Sequence, residues 1–149
     1  MTAPHVAERM EQAIRTYIQA CNAADARAIA ACFAPDATHY FTGIPKWSGA
    51  AAIGEGFAGW VARSGLWWTV DQILTDDQRC SAVMEWTLLN PTARRIVRGV
   101  DWIVFDKATL GIAEIRSYLA ARSDPGVERQ EMQGFDYAAR GYPTTLPDA

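Results

Sequence analysis

The sequence predicts an α+β domain, in which helices pack against a mostly antiparallel sheet. Apolar residues recur at helical spacing near the N-terminus, whereas residues 66–121 show four alternating strand patterns that short polar turns connect. Helices followed by consecutive hairpin-linked strands are typical of the α+β class. With 149 residues, the chain fits one domain with a proper hydrophobic core.

Two helices are predicted at the N-terminus. The first presents an apolar stripe at helical spacing that extends from Met10 to Cys21. Residues 22–25 interrupt this pattern, and Asp25 can cap a second helix over residues 26–33.

The next segment is predicted to form a short strand and a third helix. Pro35 and Asp36 are expected to end the second helix, and residues 37–41 then indicate the first strand. After a loop, Ser48 can cap a third helix over residues 50–63, despite the three glycines within it.

Four strands follow the third helix, and polar turns separate them. The strands are predicted over residues 66–74, 80–89, 94–105 and 112–121. We assign residues 1–122 to this single domain.

Residues 123–149 form a polar C-terminal extension that contains Phe135, Tyr137 and Tyr142. A purely disordered tail would be poorer in aromatic residues. We therefore expect the extension to pack on the domain, over a pocket mouth or on a partner subunit.

Composition and charge exclude several kinds of partner. The formal net charge is −3, and no basic stretch is longer than the pair Arg94 and Arg95. Nucleic acid is not an expected partner, since phosphate binding needs clustered Lys and Arg. A membrane is not expected either, because no window approaches the ~20 apolar residues of a membrane helix and the N-terminus lacks an apolar core of signal-peptide length.

The cysteines and histidines indicate a reduced protein without a cofactor. Cys21, Cys32 and Cys80 are odd in number and widely spaced, so we expect reduced core thiols in a cytoplasmic protein. The chain has two histidines, and no His, Cys or carboxylate cluster has ligand spacing. We therefore expect no protein-held transition metal.

Asp101 lies in an otherwise apolar strand pattern over residues 100–105. Desolvating an ionised carboxylate costs on the order of several kcal/mol, so this group must be paired, hydrogen-bonded or protonated at neutral pH. Buried ionisable groups of this kind are candidates for chemistry. The alternatives are a side chain that faces solvent or a structural ion pair with Arg98 or Arg116.

Strand alternation separates the side chains that face the core from those that do not. Asp101 shares its face with Val97 and Ile103, which argues against a solvent-facing side chain. Arg98 lies on the opposite face, so an ion pair with Asp101 within the strand is geometrically poor. The apolar faces of the neighbouring strands carry Ala82, Met84, Trp86 and Leu88, and Ile115, Ser117 and Leu119.

Two further residues are candidates for the same site. Tyr17 lies on the apolar stripe of the first helix, where its phenol needs a hydrogen-bond partner. An amphipathic core tyrosine is the alternative interpretation. His39 shares a strand face with Phe41, and its unperturbed pKa of ~6.5 suits acid–base catalysis, although a lone strand histidine can also be structural.

Five segments in order resemble the NTF2-like (SnoaL-like) superfamily of α+β cone proteins. They are residues 16–25, 32–38, 47–53, 99–105 and 112–118. The resemblance implies N-terminal helices packed on a strongly curved sheet that encloses a pocket, and a homodimer through the convex face of that sheet. It implies no single activity, because the fold hosts isomerases, dehydratases, cyclases, epoxide hydrolases and non-catalytic binders.

Within this superfamily, ketosteroid isomerase offers the closest chemical comparison. The resemblance implies that Tyr17 corresponds to the oxyanion-hole tyrosine of ketosteroid isomerase and Asp101 to the protonated aspartate of that oxyanion hole. Phe41 occupies the position of the general base of that enzyme. The resemblance therefore implies that the oxyanion-stabilising half is retained. His39 is the natural replacement base, because it lies two residues before Phe41 on the same face.

Two other branches of the superfamily fit less well. The residues that activate water in limonene-epoxide hydrolases would fall at Ala82, Met84 and Ser117, and none of these side chains can do so. The acidic residue that the polyketide cyclases place near Ser117 is also absent.

The sequence therefore predicts a cofactor-independent acid–base enzyme, a dehydratase or double-bond isomerase. Its substrate would be a hydrophobic oxygenated small molecule such as a steroid, terpenoid or polyketide. Tyr17, His39 and Asp101 are the predicted catalytic residues. The predicted substrate-binding residues are Phe41, Phe57, Trp60, Trp67, Met84, Trp86, Ile115, Ser117 and Leu119. The alternatives are a non-catalytic ligand-binding module, or an epoxide hydrolase or cyclase with non-standard residues.

Overall fold

The computed structural model describes residues 5–120 and 136–147, together with the backbone of residues 129–130. Within these residues three helices pack against a curved sheet, which confirms the predicted α+β class. The elements are α1 (Val6–Asn22), α2 (Ala26–Ala31), β1 (Phe33–Tyr40), β2 (Trp47–Ser48), α3 (Ala50–Ser64), β3 (Trp67–Asp76), β4 (Ser81–Asn90), β5 (Arg95–Phe105), β6 (Ile112–Leu119) and β7 (Arg129–Gln130).

The sheet has the strand order β2-β1-β6-β5-β4-β3, and β7 pairs with β5 off this path. Most neighbours are antiparallel, but β1 pairs with β6 and β5 pairs with β7 in parallel. The two end strands, β2 and β3, do not pair with each other, so the sheet is curved but not closed. This is the predicted cone, and its inner face is turned toward the helices.

α1 is an amphipathic helix whose C-terminal residue ties it to the sheet. Its buried stripe includes Met10, Ile14 and Tyr17, as the helical spacing predicts. At its end, the Asn22 side chain donates to the Trp68 carbonyl and accepts from the Trp68 N–H, both at 2.8 Å. No helix in the described part of the chain is long and apolar enough to cross a bilayer.

α2 ends earlier than predicted, and β1 begins earlier. Asp25 caps α2 by accepting a hydrogen bond from the Ala28 N–H at 2.9 Å, but the helix stops at Ala31. Pro35 and Asp36 therefore do not end the helix; they lie within β1. The register of β1 against β6 shifts between Phe33 and Thr38. Proline fits such a bulge because it has no N–H to donate to the ladder.

α3 begins after Gly49, so the predicted cap by Ser48 is wrong. Ser48 instead belongs to β2, where it pairs with Thr38. The helix forms despite its glycines, as predicted, and at Gly54 packing requires a glycine. A Cβ atom there would lie 2.3 Å from the Ala26 carbonyl oxygen, so glycine lets α3 approach α2 closely.

The C-terminal segment, residues 136–147, packs on the outer face of the sheet, away from the helices. Tyr137 and Tyr142 are buried there, and the Arg98 guanidinium lies 4.2 Å from the centre of the Tyr137 ring. The Tyr142 hydroxyl donates to the Glu85 carboxylate. The predicted separation of Arg98 and Asp101 onto opposite faces is therefore confirmed, since Arg98 donates to Thr87 on this outer face. Phe135 lies outside the described residues.

Candidate active site

A cavity of about 280 Å³ lies between the helices and the inner face of the sheet. Its walls are mostly apolar and aromatic, which is typical of small-molecule sites. Its lining residues are Tyr17, Ile18, Cys21, His39, Phe41, Thr42, Ile44, Phe57, Trp60, Trp68, Trp86, Leu88, Asn90, Arg95, Val97, Asp101, Ser117 and Leu119. All three predicted catalytic residues therefore line one cavity.

Asp101 reaches this cavity because of its place in β5. It pairs with Met84 of β4 and with Ser117 of β6, and all three side chains point to the inner face. The alternation that puts Arg98 on the outer face puts Asp101 on the inner one. Only 5% of the Asp101 surface is exposed. The solvent-facing alternative is therefore wrong.

Two side chains donate hydrogen bonds to the Asp101 carboxyl group, and both reach the same oxygen. The indole Nε1 of Trp86 donates to Oδ1 at 2.8 Å, and the Ser117 hydroxyl donates to Oδ1 at 2.6 Å. Oδ2 accepts no hydrogen bond from the described residues. If the carboxyl group takes up a proton, Oδ2 is the free position for it, because Oδ1 already accepts two donors.

Burial raises the pKa of Asp101 to about 6, and the hydrogen bonds from Ser117 and Trp86 lower it in part. Desolvation disfavours the charged form, whereas donors to the carboxylate favour it. Here desolvation is the larger effect. The group therefore changes charge close to neutral pH, which is the range in which a carboxyl group transfers protons most effectively.

Gly99 allows Trp86 to reach Asp101. Trp86 and Gly99 are cross-strand partners, and a Cβ atom at Gly99 would lie 2.2 Å from Cζ2 of the indole. The indole therefore lies flat across the β5 backbone, with its nitrogen directed at the carboxyl group two residues along the strand. A side chain at position 99 would occupy the space of this ring.

Tyr17 places a phenol in the same cavity from the helical side. Its ring is buried and meets the rings of Phe33 and Phe57 edge to face, with centroids 5.2 and 6.0 Å apart. Burial raises the pKa of Tyr17 well above its usual value, and the Cys21 thiol and the Asp101 carboxylate raise it further. The phenol therefore stays protonated and is available as a hydrogen-bond donor.

His39 is a buried residue of the cavity wall. The imidazole is stacked on Phe41, with centroids 4.2 Å apart and planes 11° apart, and only 1% of the residue is exposed. Both ring nitrogens are buried and make no hydrogen bond to the described residues. Burial lowers the pKa of His39 to about 3, and the Tyr40 backbone offsets this only in part. The imidazole is therefore neutral at physiological pH.

The predicted aromatic walls are found for the most part. Phe41, Phe57, Trp60 and Trp86 line the cavity, as do Ser117 and Leu119. Phe57 lies in the middle of the aromatic cluster and contacts both Phe41 and Trp60, with centroids 6.0 and 5.7 Å apart.

Three predicted substrate-binding residues do not line the cavity. Trp67 is 51% exposed, because β3 enters the sheet with Trp68 on the inner face instead. Met84 and Ile115 do point inward, but helices and neighbouring strands cover them completely. They belong to the core that supports the cavity.

Several lining residues are not among those predicted from the sequence. The apolar stripe of α1 could have indicated Ile18 and Cys21, and strand alternation could have indicated Leu88 and Val97. The same alternation puts Asn90 and Arg95 on the inner face. No local pattern indicates the other lining residues, which are Thr42, Ile44 and Trp68.

The described side chains of the cavity do not form a group that could hold a metal ion. In the described ranges, 5–120 and 136–147, no three His, Cys, Asp or Glu side chains are grouped so that they could hold a metal ion. The cavity does carry groups that can hydrogen-bond or transfer a proton, among them the Asp101 carboxyl group, the Tyr17 phenol and the Ser117 hydroxyl.

A family model described as a SnoaL-like domain matches residues 14–115. This chain belongs to the SnoaL-like family. The resemblance inferred from the five sequence segments is therefore confirmed. No curated protein matches the chain in sequence.

Solved structures of this fold agree with the assignment. A protein of unknown function with a cystatin-like fold from Methylobium petroleophilum PM1 is 38% identical, with a TM-score of 0.73 and 94% of each chain covered. A candidate ketosteroid isomerase from Kribbella flavida is 17% identical, with a TM-score of 0.69 and 85% of this chain and 93% of that one covered. A candidate polyketide cyclase from Sinorhizobium meliloti is 17% identical, with a TM-score of 0.62 and 72% and 94% covered. The last two similarities show the fold alone.

Proposed function

We propose that this SnoaL-like protein is a cofactor-independent acid–base enzyme, a dehydratase or double-bond isomerase. Its substrate would be a hydrophobic oxygenated small molecule with a steroid, terpenoid or polyketide skeleton. The observation that carries the proposal is the Asp101 carboxyl group, which is held by Trp86 and Ser117 through one oxygen while the other has no donor among the described residues. A buried carboxyl group prepared in this way can take up and return a proton.

In the proposed mechanism, Asp101 removes a proton from the carbon next to a substrate carbonyl. The proton goes to Oδ2, and the electron pair of the broken C–H bond forms an enolate. The Tyr17 phenol donates a hydrogen bond to the enolate oxygen, a type of contact worth on the order of 10²–10³ in kcat when one donor is removed. In an isomerisation Asp101 returns the proton to another carbon. In a dehydration the enolate expels a β-hydroxyl group, which leaves as water with the proton.

These roles differ from the ones that the sequence favours. From the sequence, Asp101 is expected to hold its proton and donate, with His39 as the base. A pKa of about 6 leaves Asp101 mostly ionised at neutral pH, whereas His39, with a pKa of about 3 and buried nitrogens, is the weaker and less accessible base. We therefore assign proton transfer to Asp101 and treat His39 as a neutral wall of the cavity.

The solved relatives support this class of chemistry without fixing the reaction. Their names include a candidate ketosteroid isomerase, two candidate polyketide cyclases and an epoxide hydrolase/cyclase-like enzyme. Epoxide hydrolysis fits less well here, because Ala82 and Met84 are buried apolar residues and Ser117 is engaged by Asp101. The alternative outside catalysis is a ligand-binding module, in which Trp86 and Ser117 merely satisfy a buried carboxyl group.

The decisive experiment measures turnover of β,γ-unsaturated ketones and β-hydroxy ketones built on steroid, terpenoid and polyketide skeletons. We expect Asp101→Asn to lower kcat by about 10²–10⁴-fold, the contribution of a positioned acid–base group, and Tyr17→Phe to lower it by about 10²-fold. Binding of the same ketones should persist in both variants. Ligand binding without turnover in the wild-type protein would instead establish the binding module.

We further propose that the protein is a homodimer in a reducing compartment such as the cytoplasm. Leu74 and Trp102 flank Val83 on the outer face and are 71% and 42% exposed, a neighbouring set of apolar side chains. Thr87, which lies on the same outer face, is buried beside Arg98. The cysteines of the chain are free thiols. Light scattering of wild-type protein and of Trp102→Ser tests the dimer.

A further inference from the structure

The cavity extends lengthwise along strands β4 and β5. Its lining residues on β5 are Asp101, Val97 and Arg95, which all lie on the inner face. On β4 it is lined in part by Leu88 and Asn90, and strand pairing joins Leu88 to Val97 and Asn90 to Arg95. The cavity therefore extends from the Asp101 carboxyl group past the Leu88 and Val97 pair to the Asn90 and Arg95 pair.

Helix α1 covers the same stretch of the sheet. Tyr17 and Cys21, one helical turn apart, both line the cavity. The next residue, Asn22, is hydrogen-bonded to the backbone of Trp68, and Trp68 pairs with Leu88. The C-terminal end of α1 is therefore held beside the part of the sheet that contains Leu88. The cavity is an elongated space between a helix and the strands below it.

The length and the volume of this space agree with the same number of carbon atoms. Four residues separate Val97 from Asp101, so their Cα atoms are about 13 Å apart at the rise of a β-strand. The volume of about 280 Å³ has room for about ten methylene groups, because each takes about 25–30 Å³ at the packing density of organic crystals. An extended chain of ten carbons is about 12 Å long, since each C–C bond of about 1.5 Å advances it by about 1.3 Å. One chain therefore fills both the length and the volume.

We propose that the substrate is an unbranched chain of about ten carbons with its carbonyl group near one end. This inference rests on the proposed function, since it names the substrate class of the same site. The carbonyl group would lie at Asp101 and Tyr17, and the hydrocarbon chain would extend between Leu88 and Val97. A fused ring system with as many carbons is shorter and wider than this space. Of the three skeletons in the proposed function, a linear polyketide chain fits and a steroid does not.

Two packed aromatic residues keep the cavity narrow. Trp86 lies flat across Gly99, where even an added methyl group would be 2.2 Å from the ring, and its Nε1 donates to Asp101 at 2.8 Å. On the helical side, Phe57 is buried and meets Trp68 edge to face, with centroids 5.9 Å apart. All of these rings line the cavity. Closely packed rings cannot move aside for a wider ligand without losing these contacts.

The test measures ligand binding by isothermal titration calorimetry. The ligands are the linear methyl ketones from 2-pentanone to 2-dodecanone, and 2-decalone, a fused bicyclic ketone with the same number of carbons as 2-decanone. We expect each added methylene group to tighten binding about 3- to 4-fold up to a chain of about ten carbons, with no further gain beyond it. 2-Decanone should bind at least about tenfold more tightly than 2-decalone.

Two variants block the predicted path of the chain. Val97→Phe places a ring where the chain passes, so the gain with chain length should end at about six carbons. The affinity for 2-pentanone should stay unchanged, whereas that for 2-decanone should fall by about 100-fold. Leu88→Phe fills the same place from β4 and should give the same result, which keeps the test valid if Val97→Phe fails to fold. Val104→Phe is the matched control on the outer face of β5, and it should leave the whole series unchanged.

Several outcomes would overturn the proposal. They are binding of 2-decalone as tight as that of 2-decanone, an affinity that does not rise with chain length, and a chain-length limit that neither Val97→Phe nor Leu88→Phe shortens. Failure of the proposed function is recognised separately. In that case the ketones would still bind with the expected limit, but no β-hydroxy ketone or β,γ-unsaturated ketone of the same chain length would be turned over.

Discussion

Trp86 and Asp101 are joined by a buried hydrogen bond of 2.8 Å from the indole Nε1 to the carboxyl Oδ1. The two residues lie on adjacent strands, and the contact is diagonal, because the direct partner of Trp86 is Gly99. The indole therefore forms part of the cavity wall and at the same time adjusts the charge of the carboxyl group. An apolar wall residue that also donates to the carboxylate makes the shape of the cavity and the acidity of Asp101 interdependent.

Trp86→Phe should raise the pKa of Asp101 further above its present value of about 6. The substitution keeps an aromatic wall but removes a donor that stabilises the carboxylate. A hydrogen bond to a charged group is worth about 1.5–3 kcal/mol, so we expect an increase of about one pKa unit or more. The measurement is a pH titration of the Asp101 carboxyl carbon by NMR in protein labelled at aspartate, with Asp101→Asn used to assign the signal.

Trp60→Phe is the control for that titration. Trp60 lines the same cavity but makes no hydrogen bond to Asp101. We expect the pKa of Asp101 to stay unchanged in this variant. Equal shifts in both variants would mean that the size of the cavity, and not the indole N–H, sets the acidity.

Gly99→Ala should reproduce the effect of Trp86→Phe without altering Trp86 itself. The added methyl group would lie 2.2 Å from the indole, so the ring must move and its contact with Asp101 is lost. Overpacking of this kind costs about 1–3 kcal/mol of unfolding free energy. Chemical denaturation and the same carboxyl titration measure the two effects. At Gly59 of α3 the methyl group would meet only the mobile end of Arg63, so Gly59→Ala should show neither effect.

The sequence was sufficient to predict the class of the fold and the inner face of the strands. Helical spacing identified α1, and alternation placed Asp101 and Arg98 on opposite faces, because both depend on the local backbone geometry alone. The break between α2 and β1 was misplaced because a bulge at Pro35 depends on pairing with β6. That partner strand lies about eighty residues away in the chain and leaves no local signal.

The candidate site was predictable only in part, because local periodicity does not show the contacts between distant segments. Periodicity identifies the residues that face inward, but whether such a residue lines a cavity depends on where the helices end above it. Met84 and Ile115 face inward and are covered, whereas Leu88 and Val97 face inward and remain in the cavity wall. Trp68, and not Trp67, lines the cavity because of the register with which β3 enters the sheet. The two hydrogen bonds between the Asn22 side chain and the Trp68 backbone fix this register.

The pH dependence of turnover should identify the role of Asp101. If the carboxylate is the base, kcat/KM rises as the pH increases through about 6 and is constant above it, because the ionised form is then present. If the protonated carboxyl group is a donor, kcat/KM instead falls through the same range. We expect the rising profile. The residual kcat/KM of Asp101→Asn should not rise in this pH range, and in Trp86→Phe the rise should occur at higher pH.

His39→Phe tests whether the histidine is a base or a neutral wall. The ring is stacked on Phe41, and both of its nitrogens are buried without a hydrogen bond to the described residues, so a phenyl ring fits the same surroundings. We expect turnover to stay within a few-fold of the wild-type value. A loss of 10²–10⁴-fold would show that His39 transfers the proton.

The pH dependence of the unfolding free energy tests the protonation state of His39 independently of turnover. The pKa of His39 is about 3 in the folded protein and 6.5 in the unfolded chain, so its contribution to stability is complete above pH 6.5 and is lost as the pH falls toward 3. Asp101 acts in the opposite direction: its pKa is raised from 3.8 to about 6, so its contribution is complete below 3.8 and is lost as the pH rises through 6. The two effects partly cancel in the wild-type protein between pH 4 and pH 6.

His39→Phe removes one of these opposing effects. We expect the variant to be more stable than the wild-type protein by about 1–3 kcal/mol at pH 7, because a buried polar group without a partner among the described residues is removed. The difference should grow by about 3 kcal/mol between pH 7 and pH 4, because the unfolded wild-type chain gains a proton that the folded one excludes. Denaturation by urea at several pH values measures the difference. A constant difference across this range would mean that the folded protein takes up the proton of His39 over the same pH range as the unfolded chain. His39 would then regain its place as a candidate base.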